Sequence, residues 1–196
     1  MEQAFAESED LRVIKTKRNI KNAFLELLSE KSINRITVQN ILDRALINRA
    51  TFYKYYHDKF HLAEQLSKNC LTDISFFIEE RFSCTQEMSS LEKVIQDLYT
   101  YIYDNRDLIV GLWNIETDEI HLYKDMEQLL KANCFTHLTQ ISVIHDETSR
   151  DYCSVLYASV ALTTIRWILT QNKKVNVKKL LSEIAGFINS TLLKAT

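Results

Sequence analysis

The chain has 196 residues, of which two are glycine and none is proline. Multi-stranded β folds need turn residues at every reversal, whereas helices tolerate their scarcity. An all-α fold follows. The 46% hydrophobic and 26% charged content is that of an ordinary globular chain, with enough apolar material for one or two domain cores.

Helix starts are dense in residues 36–62, ITVQNILDRALINRATFYKYYHDKFHL. Thr37 is placed to cap a helix whose apolar residues Val38, Ile41, Leu42 and Ala45 recur at i, i+3, i+4 and i+7. Ile36 and Ile41 have the spacing of a hydrophobic staple, and Asn48 with Ile47 and Phe52 repeats the device. Two stapled starts eleven residues apart leave room for a short helix and a tight turn. That is the layout of a helix-turn-helix, whose second helix can lie in a DNA major groove.

The second helix carries Arg49, Ala50, Thr51, Tyr53, Lys54 and Tyr55, and no acid occurs between Asp43 and Asp58. Arg and Lys neutralise phosphates, and Thr and Tyr hydroxyls bond phosphate oxygens. Asp58 then caps a further helix with Lys59 in its first turn, where backbone N–H groups also favour a phosphate. Residues 11–60 carry a net charge of +7, against −4 for residues 1–10 and −5 for residues 61–196. A basic module on an acidic body is the electrostatic pattern of a DNA-binding head with a separate regulatory part.

Residues 12–66 resemble the DNA-binding domain of the TetR family of bacterial transcriptional regulators. The resemblance rests on Thr37-Val38, on Asn48-Arg49-Ala50-Thr51-Phe52-Tyr53-Lys54-Tyr55-Tyr56, and on Lys59. That family usually reads Ser-x-Gly-Thr-Phe/Leu-Tyr-x-His-Phe, then a Lys three residues on. Here Asn48 replaces the Ser as cap, Ala50 replaces the Gly, and Tyr55 replaces the His. Leu46 stands where the turn usually has Gly, a position of positive φ that strains other residues.

The resemblance implies a sequence-specific transcriptional regulator, more often a repressor than an activator, binding double-stranded DNA at a palindromic operator as a homodimer. Arg49 is then the candidate base contact. Lys54, Lys59, Tyr53 and Tyr55 are the candidate phosphate contacts, with Thr37, Gln39, Asn48, Thr51 and Lys17 supporting them. A helical adaptor that acts through protein contacts and has lost DNA binding is the alternative. The departures at Leu46 and Tyr55 leave it room, but the acid-free strip argues against it.

The expected organisation is a flexible tail over 1–11, a three-helix helix-turn-helix domain over 12–58, and a helical regulatory and dimerisation domain over 59–196. A helix from Thr16 presents Ile20, Ala23, Phe24, Leu27 and Leu28 on one face. A long helix from Lys59 to about Phe82 joins head to body, and the resemblance makes it the connector through which the body moves the head. Further helices are expected from Ser89 or Ser90 to Asn105, over 107–115, over 119–144, from a cap at Asp146, and from a cap at Asn176. The last two have wide apolar faces, including Leu181, Ile188 and Leu192, and small residues Ala158, Ser159, Ala161, Ala185 and Gly186. In the resembling family such a pair forms the dimer interface.

Tyr99, Tyr103, Trp113, His121 and Tyr123 concentrate aromatic rings with polar tips in the middle of the body, a composition suited either to an ordinary core or to an effector cavity. The pattern names no ligand. His57 with His61, and His121 with Asp125, have metal-compatible spacing, but neither pair has a third ligand nearby, so no metal and no cofactor is expected. The sequence holds no Gly-rich phosphate loop, nucleophile elbow or H-E-x-x-H, and an enzyme is not expected. Cys70, Cys84, Cys134 and Cys153 lack framework spacing and read as reduced thiols of a cytoplasmic protein. The acidic N-terminus is not that of a signal peptide. The longest apolar run, 155–169, is interrupted by Ser159, Thr163, Thr164 and Arg166, so no membrane span is expected.

Overall fold

The computed structural model describes the backbone of residues 2–83, 88–115, 117, 119–142, 144–171 and 175–191. Side chains are described from residue 11 onward, except at 83, 88–92, 181, 185 and 188–191. The elements are α1 (Glu2–Glu30), a 3-10 turn (Ile33–Arg35), α2 (Val38–Ala45), α3 (Arg49–Tyr53), α4 (Lys59–Ser83), α5 (Met88–Asp104), α6 (Arg106–Trp113), α7 (Leu122–Ile141), α8 (Glu147–Thr170) and α9 (Val177–Thr191). No strand occurs among the described residues. The start expected at Ser89 or Ser90 is observed at Met88. Cys84 and the side chains of Leu91, Leu181, Ala185, Ile188 and Leu192 lie outside the described residues.

The helix starts fall where local capping chemistry places them. Thr37 Oγ1 accepts from the Asn40 N–H at 3.1 Å while Asn40 Oδ1 accepts from the Thr37 N–H at 3.1 Å, a reciprocal capping box. Asn48 Oδ1, Asp58 Oδ1, Asp146 Oδ2 and Asn176 Oδ1 accept from backbone N–H groups opening α3, α4, α8 and α9. One start differs: α1 begins at Glu2, so residues 2–11, read as a tail, continue the helix that periodicity began at Thr16.

The chain divides into two compact units, residues 1–70 with 107–122, and residues 71–106 with 123–196. The division falls at Cys70 and Leu71 rather than at 58 and 59, and α4 contributes to both units. Residues 107–122 join the first unit, which sequence order could not indicate.

In the first unit, Ile20, Phe24, Ile36, Ile41, Phe52 and Leu62 are fully buried and close one core. Burying an aliphatic or aromatic side chain of this size contributes about 1.5–3 kcal/mol, and together these residues hold the short α2 and α3 in place. Helices this short would not persist in isolation. Gly111 of α6 lies against α1, where an added Cβ would meet Leu28 Cδ1 at 3.4 Å.

In the second unit, Ile74, Ile102, Met126, Ala158 and Leu162 are buried. Arg106 ties the α8 C-terminus by donating to the Leu169 carbonyl at 3.0 Å and the Gln171 carbonyl at 3.3 Å. With 24 residues and an 18-residue window of mean hydropathy 1.4, α8 is long and apolar enough to cross a membrane on length and composition alone. One face of α8, through Ser154, Ala158, Leu162, Ile165 and Leu169, is buried in the unit.

Candidate nucleic-acid interface

α2 and α3 are joined by a turn that Leu46 makes possible at a conformational cost. Leu46 adopts the left-handed conformation with φ 54° and ψ 45°, and its N–H donates to the Leu42 carbonyl. The Ile47 N–H donates to the same carbonyl at 3.2 Å. This closes the helix end as a glycine would, so the turn stays tight without one. The Leu46 side chain is 90% exposed and adds nothing to the core.

The turn sets α3 so that Phe52 points inward while Arg49, Tyr53 and Lys54 are exposed. Arg49 NH2 donates to Gln39 Oε1 at 3.3 Å, and Gln39 Nε2 donates to Asp43 Oδ1 at 2.7 Å. A polar chain thus runs from the recognition helix across to α2. Asn48 Oδ1 accepts from both the Thr51 N–H and the Thr51 hydroxyl at 2.8 Å. Asn48 and Thr51 therefore brace the start of α3, and Thr51 offers its hydroxyl oxygen outward only as an acceptor.

Lys17 of α1 and Lys54 both lie over the Tyr55 ring, at 5.5 Å and 5.8 Å from its centroid. Two ammonium groups and a phenol from separate elements thereby share one surface, and the ring keeps the lysines fixed by cation–π attraction. The four acids of this region are held elsewhere. Glu26 and Glu30 pair with Arg44 at 3.0 Å, and that hydrogen bond holds the Glu30 carboxyl below its ordinary range. Asp43 accepts from Gln39, and Asp58 caps α4.

Lys59 has a different position from the one its place in the motif suggests. Its Nζ donates to the Ile36 carbonyl at 2.6 Å and the Asn34 carbonyl at 3.1 Å. Burial lowers its pKa from the ordinary lysine value. The ammonium bonds carbonyls in and just after the 3-10 turn. His57 and His61 stack with centroids 4.6 Å apart, and His61 Nδ1 accepts from the His57 N–H at 3.1 Å. The rings lie face to face instead of converging on a point where an ion would sit.

No family model matches this sequence. A solved structure of a TetR transcriptional regulator from Streptococcus agalactiae 2603V superposes with a TM-score of 0.58 at 23% identity, covering 93% of this chain and 98% of that one. The chain has the TetR regulator fold. Two curated proteins are also similar to it. An uncharacterized HTH-type transcriptional regulator, YxbF of Bacillus subtilis (strain 168), is 25% identical over 127 residues, 62% of this chain. The transposon Tn10 TetC protein of Escherichia coli is 24% identical over 100 residues, 51% of this chain. The chain spans 33% of the first relative's length and 51% of the second's.

Within this TetR fold the candidate effector residues do not come together. Tyr99 lines a cavity of about 240 Å³ in the second unit, and Tyr103 packs against Tyr99 with ring centroids 6.0 Å apart. Trp113 and His121 belong to the first unit and line no part of that cavity. The Tyr123 ring lies 4.7 Å from the Arg166 guanidinium. Two of the cavity's polar residues, Arg81 and Tyr157, are ones the sequence reading missed. Each is a single polar residue on an otherwise apolar helix face, a signal too common to select in advance. Among the described residues, Cys70, Cys134 and Cys153 form no disulfide.

Proposed function

We propose that this protein is a sequence-specific DNA-binding transcriptional regulator that acts as a homodimer on a palindromic operator, with α3 in the major groove. The observation that carries the reading is the cluster of Lys17 of α1 with Lys54 and Tyr55, which follow α3, beside exposed Arg49 and Tyr53 in a segment that has no acid between Asp43 and Asp58. The fold likeness and the similarity to an HTH-type transcriptional regulator support it. Arg49, at the start of α3 and bonded to Gln39 in the free chain, is the base reader, and guanine is the base whose O6 and N7 a guanidinium matches. Lys17, Lys54, Tyr53 and Tyr55 hold phosphates.

Dimerisation through α8 and α9 is part of the same reading. Tyr152, Leu156 and Trp167 of α8 and Phe187 of α9 are between 46% and 67% exposed in the single chain. A second copy would cover these apolar groups and place two recognition helices for two half-sites. An effector bound in the second unit, acting through α4, would supply the regulation, with repression as the expected sign.

Selection of binding sites from a random DNA pool with the purified protein at moderate salt tests the proposal. An enriched palindrome is the expected result. A folded sample that enriches nothing and elutes early from heparin would support the adaptor instead.

A further inference from the structure

The cavity in the second unit lies among α4, α5, α7, α8 and α9, and its lining is almost entirely aliphatic, with residues such as Val94, Leu98, Ile165 and Val177. Among the described residues that line it, none is acidic and one is a cation, Arg81. The other polar groups differ in availability. The Tyr99 hydroxyl accepts from the Val175 N–H at 2.6 Å, and the Thr164 hydroxyl donates to the Val160 carbonyl at 2.8 Å. Among the described residues, the Arg81 guanidinium and the Tyr157 hydroxyl have no hydrogen-bond or ion-pair partner. Phe82 brings them to one end: the Arg81 guanidinium lies 5.4 Å from its ring, and the Tyr157 ring meets it edge-on at 5.6 Å. Burial also pushes the Tyr157 phenol above its ordinary pKa, so it remains a hydrogen-bond donor throughout the neutral range.

We propose that this cavity binds a small apolar monocarboxylate, its chain among the aliphatic side chains and its carboxylate held by the Arg81 guanidinium and the Tyr157 hydroxyl. The inference rests on the regulatory reading for its biological role but not for the binding itself. A cation would meet like charge at Arg81. A neutral hydrocarbon would displace solvent from two polar groups without bonding either of them, which is unfavourable. At about 30 Å³ for each water-sized group, 240 Å³ accommodates about eight carbons of a medium-chain carboxylate, whose two oxygens would take the place of solvent at Arg81 and Tyr157. Arg81 also lies in the last turn of α4, where a cation favours the helix dipole. That role alone predicts a stability effect with no preference for anions.

The test is calorimetric titration of the full chain with octanoate and with 1-octanol, its uncharged analogue. Octanoate is expected to bind at least tenfold more tightly. Arg81→Gln should remove about tenfold or more of octanoate affinity and leave 1-octanol unchanged, and Tyr157→Phe should remove about fivefold. Retained helical circular dichroism certifies each variant. Equal affinity for the two probes, or no binding of millimolar octanoate to the folded protein, overturns the proposal. DNA affinity is measured separately on a selected site. Octanoate that binds without changing it leaves the carboxylate site standing and removes its regulatory link. Intact DNA binding without octanoate binding removes the site and leaves the DNA reading standing.

Discussion

Lys59 Nζ, at the start of α4, donates to the backbone carbonyl of Ile36 at 2.6 Å, joining residues 23 apart in sequence. The same ammonium reaches the Asn34 carbonyl. The motif position that reads as a phosphate contact is thereby a strut between α4 and the segment that enters α2. Lys59→Met, which keeps most of the apolar stem, should destabilise the protein by about 1–3 kcal/mol, because it leaves two carbonyls without their charged donor. Urea denaturation measures the loss. The slope of DNA affinity against salt should stay unchanged, and a fall of one unit would return Lys59 to the phosphate contacts.

Arg49 opens α3 and Lys54 caps its end, and their replacements should have different signatures. Arg49→Ala should weaken binding to a selected site by about 1–3 kcal/mol and flatten discrimination between that site and random DNA. Lys54→Ala should weaken both DNAs alike and lower the salt slope by about one unit. Fluorescence anisotropy titrations at several salt concentrations separate the two. Equal losses on both DNAs for Arg49→Ala would assign it to the backbone.

At Leu46 the φ of 54° is a strain that glycine relieves. The left-handed conformation costs an L-residue roughly 1–2 kcal/mol, and glycine's greater unfolded-state freedom offsets part of the gain. Because the side chain is 90% exposed, its removal sacrifices little burial. Leu46→Gly should stabilise the protein by about 1 kcal/mol, seen as a higher thermal midpoint. A lower midpoint would mean that the Leu46 side chain packs against something outside the single chain.

If α8 and α9 pair with a second copy, a charge in the seam should separate the copies without unfolding them. Trp167→Glu and Phe187→Glu alter groups that are 46% and 61% exposed in the single chain. Sedimentation should show dimer for the parent protein and monomer for the variants, with unchanged helical content. Variants that stay dimeric would move the interface to another face.

The cap of α8 should appear in the acid limb of stability. Hydrogen bonds from the Ser149 hydroxyl and N–H hold the Asp146 carboxyl below its ordinary range. A depressed carboxyl contributes stability that is present above its unfolded pKa and lost as the pH falls through its folded one. Asp146→Asn keeps a capping oxygen without a titrating charge, so its stability should fall less steeply below pH ~4 than that of the parent. Parallel acid limbs in the two proteins would remove this role from Asp146.

Much of the first unit was legible in the sequence because its signals act over three to five residues. Thr37 and Asn48 reach N–H groups three positions on, and Ile36 and Ile47 staple to residues five positions on, so helix starts and the helix-turn-helix spacing follow from local chemistry. The scarcity of glycine and proline likewise sufficed for an all-α fold. The exposed strip of Arg49, Tyr53 and Lys54 was legible for the same reason: once α3 starts at Asn48 and buries Phe52, its outward face is fixed.

What only the tertiary structure decided depends on partners far apart in the chain. No local pattern could direct Lys59 to carbonyls 23 and 25 residues back, or join residues 107–122 to the first unit. The aromatic residues Tyr99, Tyr103, Trp113 and His121 are near one another in sequence, yet they fall in two different units. Arg81 and Tyr157, from helices remote in the sequence, meet across Phe82 in one cavity. Helix caps are set by hydrogen bonds along the chain, whereas cavities and struts are set by which apolar faces pack together, and packing is chosen by the whole core at once.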